Sequence, residues 1–296
     1  MNASAHPGGT IVVGVDGSEH ADRALAWAAE QGSLERRPLT VLNASDPFGT
    51  NQSLYLASGG IAPHEVLLAE RDARRSLVEG AAEHVRATHP DLEVRTEVPG
   101  TDARLALLEA SNDAWMVVVG SRGRGPVASL VLGSVSVAVS RFARCPVVVV
   151  RPTVPHEAKR GVCVATDATA LSSHTVEAAF RVASFRGLPL TVGHCAWDVA
   201  AASSGWLTVR PGDAGHDDLM VAVSETLAGM REQFPDVEVG VAIAQGQADR
   251  FVVDLATSTE IVVVGRHGYS ALDHWGLGSL ATSVVEHAPC AVLVVP

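Results

Sequence analysis

A four-point glycine spacing occurs twice in this chain, each time directly after an apolar, β-branched run. It constrains the fold more than any other feature. The first copy follows Met116-Val117-Val118-Val119 and reads Gly120-x-x-Gly123-x9-Gly133-Ser134. The second follows Ile261 to Val264 and reads Gly265-x-x-Gly268-x9-Gly278-Ser279. Gly120 to Gly265 and Gly133 to Gly278 are both intervals of 145 residues, so the copies match without a gap. A strand that ends in glycine can turn sharply and bring its backbone close to a ligand. A Gly-Ser pair opening a helix offers free N–H groups and the positive end of the helix dipole to an anion. The pattern therefore reads as a phosphate cradle. A lone G-x-x-G more often just punctuates a strand-to-helix connection, but one repeated at a fixed, domain-sized period is a far more specific signal.

The period divides the 296 residues into two domains, 1–151 and 152–296, each long enough to bury its own core. Arg151 to Lys159, with Pro152 and Pro155, reads as the linker. A net charge of −11 and a pI near 5.5 argue against a nucleic-acid surface, which needs clustered positive charge. Lys159 is the only lysine, so a phosphate loop of the G-x-x-x-x-G-K-[ST] kind is excluded. No stretch approaches the ~20 apolar residues of a membrane span, and the N-terminus lacks the regions of a signal peptide, so a cytoplasmic protein is expected. Cys145, Cys163, Cys195 and Cys290 form no C-x-x-C and lie in or beside apolar runs, which predicts free buried thiols rather than disulfides.

Strand-like and helix-like segments alternate in both halves. Thr10 to Val15 is a β-branched run ending in Asp16-Gly17-Ser18, and Ala21, Ala24, Leu25 and Ala28 then give a helix an apolar face, with Gly32 able to end it. Pro38 to Asn43 is a second strand and Asp46 to Gly60 a surface loop. A long helix runs from Pro63 to about Thr88 with apolar positions at Val66, Leu67, Ala73, Leu77, Ala81 and Val85. Leu92 to Val98 alternates like an edge strand. The helix Ala103 to Ala110, the strand Ala114 to Val119, the glycine loop, another helix and the strand Val147 to Val150 complete the half. The second half repeats this order from Gly161. It has a helix face at Val176, Ala179, Phe180 and Ala183, a loop at Trp197 to Gly215, one long helix at Asp217 to Gln233 and a third strand at Val237 to Ala244. The alternation specifies an α/β fold of two tandem domains, each a five-stranded parallel sheet flanked by helices. The last strands, Val147 to Val150 and Ala291 to Val295, would otherwise be exposed apolar edges, which predicts that the halves pair through them as a pseudo-dimer.

In an open parallel sheet, ligands bind beyond the carboxyl ends of the strands where the winding reverses. That brings Asp16 and Gly120 into one crevice. Val15-Asp16 together with Gly120, Gly123, Gly133 and Ser134 resembles the ATP-binding branch of the universal stress proteins, in a tandem two-domain form. The resemblance implies Rossmann-like domains with a strand order 3-2-1-4-5, and ATP, with or without Mg²⁺, as ligand. It also implies a regulatory role in stress or dormancy through nucleotide-dependent interactions with a partner protein, and a dimer beyond the internal one. Carried over by position, it assigns Val15 and Asp16, the backbone near Asn43 and Ala44, and Gly120, Arg122, Gly123, Gly133, Ser134, Val135 and Ser136. In the second half it assigns Thr166, Asp167, the backbone near Gly193 and His194, and Gly265, His267, Gly268, Gly278, Ser279 and Leu280.

The second set departs in two ways. Asp16-Gly17-Ser18 becomes Asp167-Ala168-Thr169, with Ala179 twelve residues after Asp167 where Ala24 is eight after Asp16, and Ser136 becomes Ala281. A weaker second site is expected, and the extra hydroxyl of Ser136 is expected near the phosphates. Asp16 has a plainer reading as the cap of the first helix, and Arg122 and Arg124 as solvated loop arginines. His267 and His274 have no partner of metal-binding spacing and read as surface residues, so no metal site is expected. No general base, phosphate-loop lysine or Mg²⁺-directed strand end is evident, which leaves no catalytic residues to name and slow ATP hydrolysis as the upper bound on enzymatic activity. A slow ATPase and a nucleotide-free dimerisation module are the alternatives to a nucleotide-binding regulator. A dinucleotide dehydrogenase would need its G-x-G-x-x-G after the first strand, where this chain has Gly14-Val15-Asp16-Gly17-Ser18.

Overall fold

The computed structural model describes residues 9–44, 63–123, 132–152, 161–266 and 277–296, which fall into two compact units divided between Val150 and Arg151. In the first unit the strands are β1 (Ile11–Gly14), β2 (Leu39–Leu42), β3 (Val94–Glu97), β4 (Met116–Gly120) and β5 (Val147–Val150). They lie in the order β3-β2-β1-β4-β5, and each paired neighbour runs parallel. Ile11, Val12 and Val13 of β1 are fully buried, as are the side chains of β4 and β5. Continuous apolar runs of this kind suit central strands covered on both faces, whereas β3 alternates because it is an edge.

The described residues of the unit also form four helices: α1 (Glu19–Glu35), α2 (Pro63–Thr88), α3 (Ala103–Ala110) and α4 (Ser134–Phe142). α1 buries the expected Ala21, Ala24, Leu25 and Ala28. It does not stop at Gly32. It continues to Glu35 and closes on Arg36, held in the left-handed region at φ 52°, while Gly32 lies within the helix, where an added Cβ would meet the Arg37 carbonyl oxygen at 3.1 Å and Leu92 at 3.2 Å. In α2 the buried stripe is Val78, Ala82 and Val85, so Ala73 is exposed and Leu77 and Ala81 sit at the rim of the stripe. α1 packs beside α2, and α3 beside α4. The Asp46 to Gly60 segment and Arg124 lie outside the described residues.

The second unit repeats the winding with β6 (Val162–Ala165), α5 (Ser173–Arg186), β7 (Leu190–Ala196), α6 (Val199–Ala202), β8 (Trp206–Thr208), α7 (His216–Thr226), α8 (Met230–Gln233), β9 (Val239–Gly246), α9 (Ala248–Ala256), β10 (Ile261–Gly265), α10 (Ser279–His287) and β11 (Ala291–Val295). Its parallel order, β9-β7-β6-β10-β11, matches that of the first unit. Three expectations are corrected. Residues 197–215 are not a plain loop: α6 leads into β8, which pairs antiparallel with β9 and adds a sixth strand. Gly205 (φ 109°) and Gly246 (φ 121°) allow that turn, and a Cβ on Gly246 would stand 2.6 Å from the Gly205 carbonyl oxygen. Trp206 then anchors the strand, with Nε1 donating to Asp254 at 2.7 Å and its ring edge-on to Phe251. The third parallel strand also begins later and ends later than expected, at Val239 and Gly246. Finally, the expected single helix over 217–233 is broken between α7 and α8, where Gly229 takes φ 80°.

All four cysteines are free and buried. Burial pushes the thiols of Cys145 and Cys163 up to about 12 and that of Cys195 to about 11, which keeps them protonated and unreactive. Among the described residues no helix is long and apolar enough to cross a membrane, and no cluster of His, Cys, Asp and Glu could hold a metal ion.

Candidate functional site: a crevice at the switch point of the first sheet

β1 lies between β2 and β4, so the chain reverses its winding beside the carboxyl ends of β1 and β4. A crevice of about 530 Å³ opens there. Its walls include Val15, Asp16, Ala44, Gly120, Arg122, Gly123, Gly133, Ser134, Val135 and Ser136. Of the eleven first-half residues expected at a ligand, only Asn43 is missing from the lining. Asn43 instead lies beneath it, its buried Nδ2 donating to the Val15 carbonyl at 2.6 Å and tying the end of β2 to the turn after β1.

The turn after β1 shows what Asp16 does. Its Oδ1 accepts from the Ser18 backbone N–H at 3.0 Å while Gly17 takes φ 75°. The helix cap is Ser18, whose hydroxyl accepts from Ala21 N–H at 3.3 Å, so the capping alternative for Asp16 is ruled out. The opposite wall is the start of α4. Gly133 is its N-cap with extended backbone and no side-chain cap, so the first-turn N–H groups at exposed Ser134 and half-buried Val135 are directed to the crevice. Gly133 N–H also donates to Ser121 C=O at 2.8 Å, which closes the glycine loop onto β4.

Two of the expected roles change. A Cβ on Gly120 would come within 2.6 Å of the His20 carbonyl oxygen, so this position is glycine because α1 packs directly on it, whatever the ligand needs. Ser136 is buried and its hydroxyl donates to Gly120 C=O at 2.8 Å, so its one proton already serves the protein rather than a phosphate. Gly123 keeps its expected place: a Cβ there would meet Asp16 Oδ2 at 2.6 Å. Sequence reasoning missed His20, Leu107 and Leu132 in the lining. The two leucines give the crevice an apolar face. Only the adjacency of His20 to the Asp16 turn could have signalled it.

The second unit builds the same frame. Thr169 N–H donates to Asp167 Oδ1 at 3.0 Å, as Ser18 does to Asp16, and Ala168 adopts φ 59° without being glycine. Asp167 Oδ1 also accepts from the Thr169 hydroxyl at 2.7 Å, and buried Thr166 bonds Ser172 through its hydroxyl. His194 takes the place of Asn43. It is buried with Nδ1 3.0 Å from Thr166 C=O, which requires the ring proton on Nδ1. Gly193 is the register equivalent of Leu42. It serves packing rather than a ligand, because a Cβ there would meet Leu255 at 2.8 Å and Phe251 at 3.3 Å. The strand-end position matching Ala44 is therefore Cys195. Gly265 ends β10, Gly278 caps α10 and donates to Arg266 C=O at 2.8 Å, and Ser279 and Leu280 form the first turn. His267, Gly268 and His274 lie outside the described residues. A separate cleft of about 460 Å³ lies between α9, α10 and Trp206. Its carboxylates already have partners, Asp249 accepting from Ser283 and Asp254 from Trp206.

The family model described as the universal stress protein family matches residues 9–151 and again residues 160–296. The chain belongs to the universal stress protein family. A universal stress protein of Mycobacterium tuberculosis strain H37Rv is 32% identical over 292 residues, covering 96% of each chain. One from Mycolicibacterium smegmatis is 31% identical over 297 residues, again with 96% of each covered. The crystal structure of a universal stress protein from Archaeoglobus fulgidus aligns with a TM-score of 0.70 over 97% of both chains at 20% identity, a likeness that concerns the fold. As a universal stress protein the chain is thus a tandem member, with both copies of the fold present.

Proposed function

We propose that this universal stress protein binds ATP in the crevice of its first unit and acts in a stress or dormancy response through contacts that depend on occupancy. One observation carries the reading: a single crevice at the switch point gathers the Asp16 turn, the glycine loop ends and the uncapped N-terminus of α4. The chemistry of these groups fits a nucleotide. N–H groups at Ser134 and Val135 and the cationic Arg122 suit phosphate oxygens. The Asp16 carboxylate suits hydroxyl donors such as those of a ribose, and Leu42, Leu107 and Leu132 suit a flat base. A volume of about 530 Å³ is in the range of small-molecule sites. Among the described residues the crevice has donors for holding a triphosphate, and its Asp16 carboxylate is engaged by the Ser18 N–H, which favours binding over turnover.

The test is mass spectrometry of small molecules released on denaturing the freshly purified protein, followed by titration of the stripped protein with ATP. Release of ATP or ADP, and rebinding of ATP with or without Mg²⁺, is the expected result. A folded protein that releases no nucleotide and gives no ATP signal would leave the dimerisation module as the better reading. Steady ADP production above a heat-denatured control would favour the slow ATPase.

A further inference from the structure

We infer that His20 makes anion binding in the first crevice dependent on pH, a role that rests on the nucleotide reading and adds a proton to it. His20 stands on the first turn of α1 and its side chain lines the crevice. Its place is fixed from two sides. Its carbonyl abuts Gly120 so closely that no Cβ fits between them, and its Nδ1 lies 3.3 Å from the Ser121 hydroxyl, at the point where β4 leads into the glycine loop.

The charged groups around the ring come from every wall. Glu19 and Arg23 share its helix, Asp16 belongs to the turn after β1, and Arg122 follows β4. The first turn of α4, which faces them, carries only Ser134, Val135 and Ser136. Burial first, then the charges of Arg23 and Arg122, hold the ring below its usual 6.5 against the smaller pull of Glu19 and Asp16. The free protein therefore keeps His20 neutral near pH 7. A polyphosphate seated between Arg122 and α4 would offset the two arginines and stabilise the protonated ring, so binding takes up a proton and tightens as pH falls. Among the described residues of the second unit no histidine takes the register position of His20. Its α1 equivalent matches at an offset of 155 residues, Ala21 to Val176 and Ala28 to Ala183, which places buried Thr175 where His20 stands. The 145-residue offset of the glycine loop places Arg266 where Ser121 stands.

The experiment is calorimetric titration of the full chain with ATP from about pH 7.5 to about pH 5.5, in buffers of different ionisation heat, comparing the wild type with His20→Gln. Protonation of ATP itself is common to both proteins and cancels. The wild type should take up a fraction of a proton on binding, and its affinity should gain about three- to tenfold over the variant across this range. Equal pH slopes in the two proteins would overturn the role of His20 while leaving ATP binding intact. No binding at any pH would overturn both readings. Titration of the His20 ring by NMR in the wild type gives a check that needs no variant. Its pKa should rise on saturation with ATP, and an unmoved pKa would overturn the inference.

Discussion

The turns after β1 and β6 look different in sequence and are the same in space, whereas the two glycine loops look the same and differ in what surrounds them. Asp16-Gly17-Ser18 and Asp167-Ala168-Thr169 both place a carboxylate oxygen 3.0 Å from the N–H two residues on, with the middle residue at positive φ. The loop copies keep every described glycine, yet His20 and Ser121 beside the first correspond to Thr175 and Arg266 beside the second. Where the first sheet has Leu42, and α3 carries small Ala106 and Ala110 at positions 145 residues before Phe251 and Leu255, the second puts Gly193 under Phe251 and Leu255 of α9. The backbone frame has been kept through the repeat and the contents exchanged. Differences in function between the halves therefore belong to side chains that no glycine motif reports.

The comparison can be broken first at Gly120. With the His20 carbonyl 2.6 Å from the added Cβ, Gly120→Ala should cost the first unit about 1 to 3 kcal/mol through displacement of α1. Urea denaturation followed by hydrogen exchange of the β4 amides reads this directly. An unchanged stability would show that Gly120 is free to serve a ligand alone. Because a larger residue here damages the fold, loss of ATP binding in Gly120→Val would say little about the crevice.

Ser136 sharpens the comparison with Ala281. Removing its hydroxyl leaves the half-buried Gly120 carbonyl without that donor, so Ser136→Ala should destabilise the first unit by about 1 kcal/mol. Its effect on ATP affinity should stay below about threefold, since the proton does not point at the ligand. A loss of tenfold or more in affinity with unchanged stability would restore the phosphate role expected from the sequence.

Ala168 gives the smallest effect and the opposite sign. A non-glycine residue at φ 59° carries backbone strain that Gly17 does not, so Ala168→Gly should raise the stability of the second unit by about 0.5 to 1 kcal/mol. Thermal unfolding would detect it as an upward shift. A downward shift would mean that the methyl group contributes more by packing than the turn costs.

The parallel sheets and most core positions were legible because strand alternates with helix and because β-branched runs and the i, i+3, i+4, i+7 spacing in α1 and α5 report burial directly, whereas the strand order came from the family resemblance. β8 escaped notice because three residues carry no period, and its determinants are a tryptophan contact and two glycines forty-one positions apart, Gly205 and Gly246. The break before α8 was hidden in a helical pattern that Gly229 interrupts only once. In the crevice, ten of the first-half positions that the family resemblance assigns lie in the lining. The roles of Gly120 and Ser136 were not legible, since each depends on a partner far along the chain: His20 for the one and Gly120 for the other. The strut role of Asn43 and His194 likewise needs strand register, which sequence spacing does not supply.

The central claim is that the first crevice is the better ATP site of the two. Asp16 and the first turn of α4 line one crevice of about 530 Å³ in the first unit, while in the second Asp167 Oδ1 accepts two bonds from Thr169. The most direct measurement is a calorimetric ATP titration of the nucleotide-stripped full chain alongside Gly133→Val and Gly278→Val. Gly133 has ordinary backbone angles, and the nearest atom to an added Cβ is 3.5 Å away, so a side chain can start there without a clash at its Cβ and adds bulk to the crevice lining. The account predicts that Gly133→Val abolishes the tighter binding while Gly278→Val leaves it in place. A folded Gly133→Val protein that binds ATP as tightly as the wild type, or loss of the tight phase on changing Gly278, would contradict it.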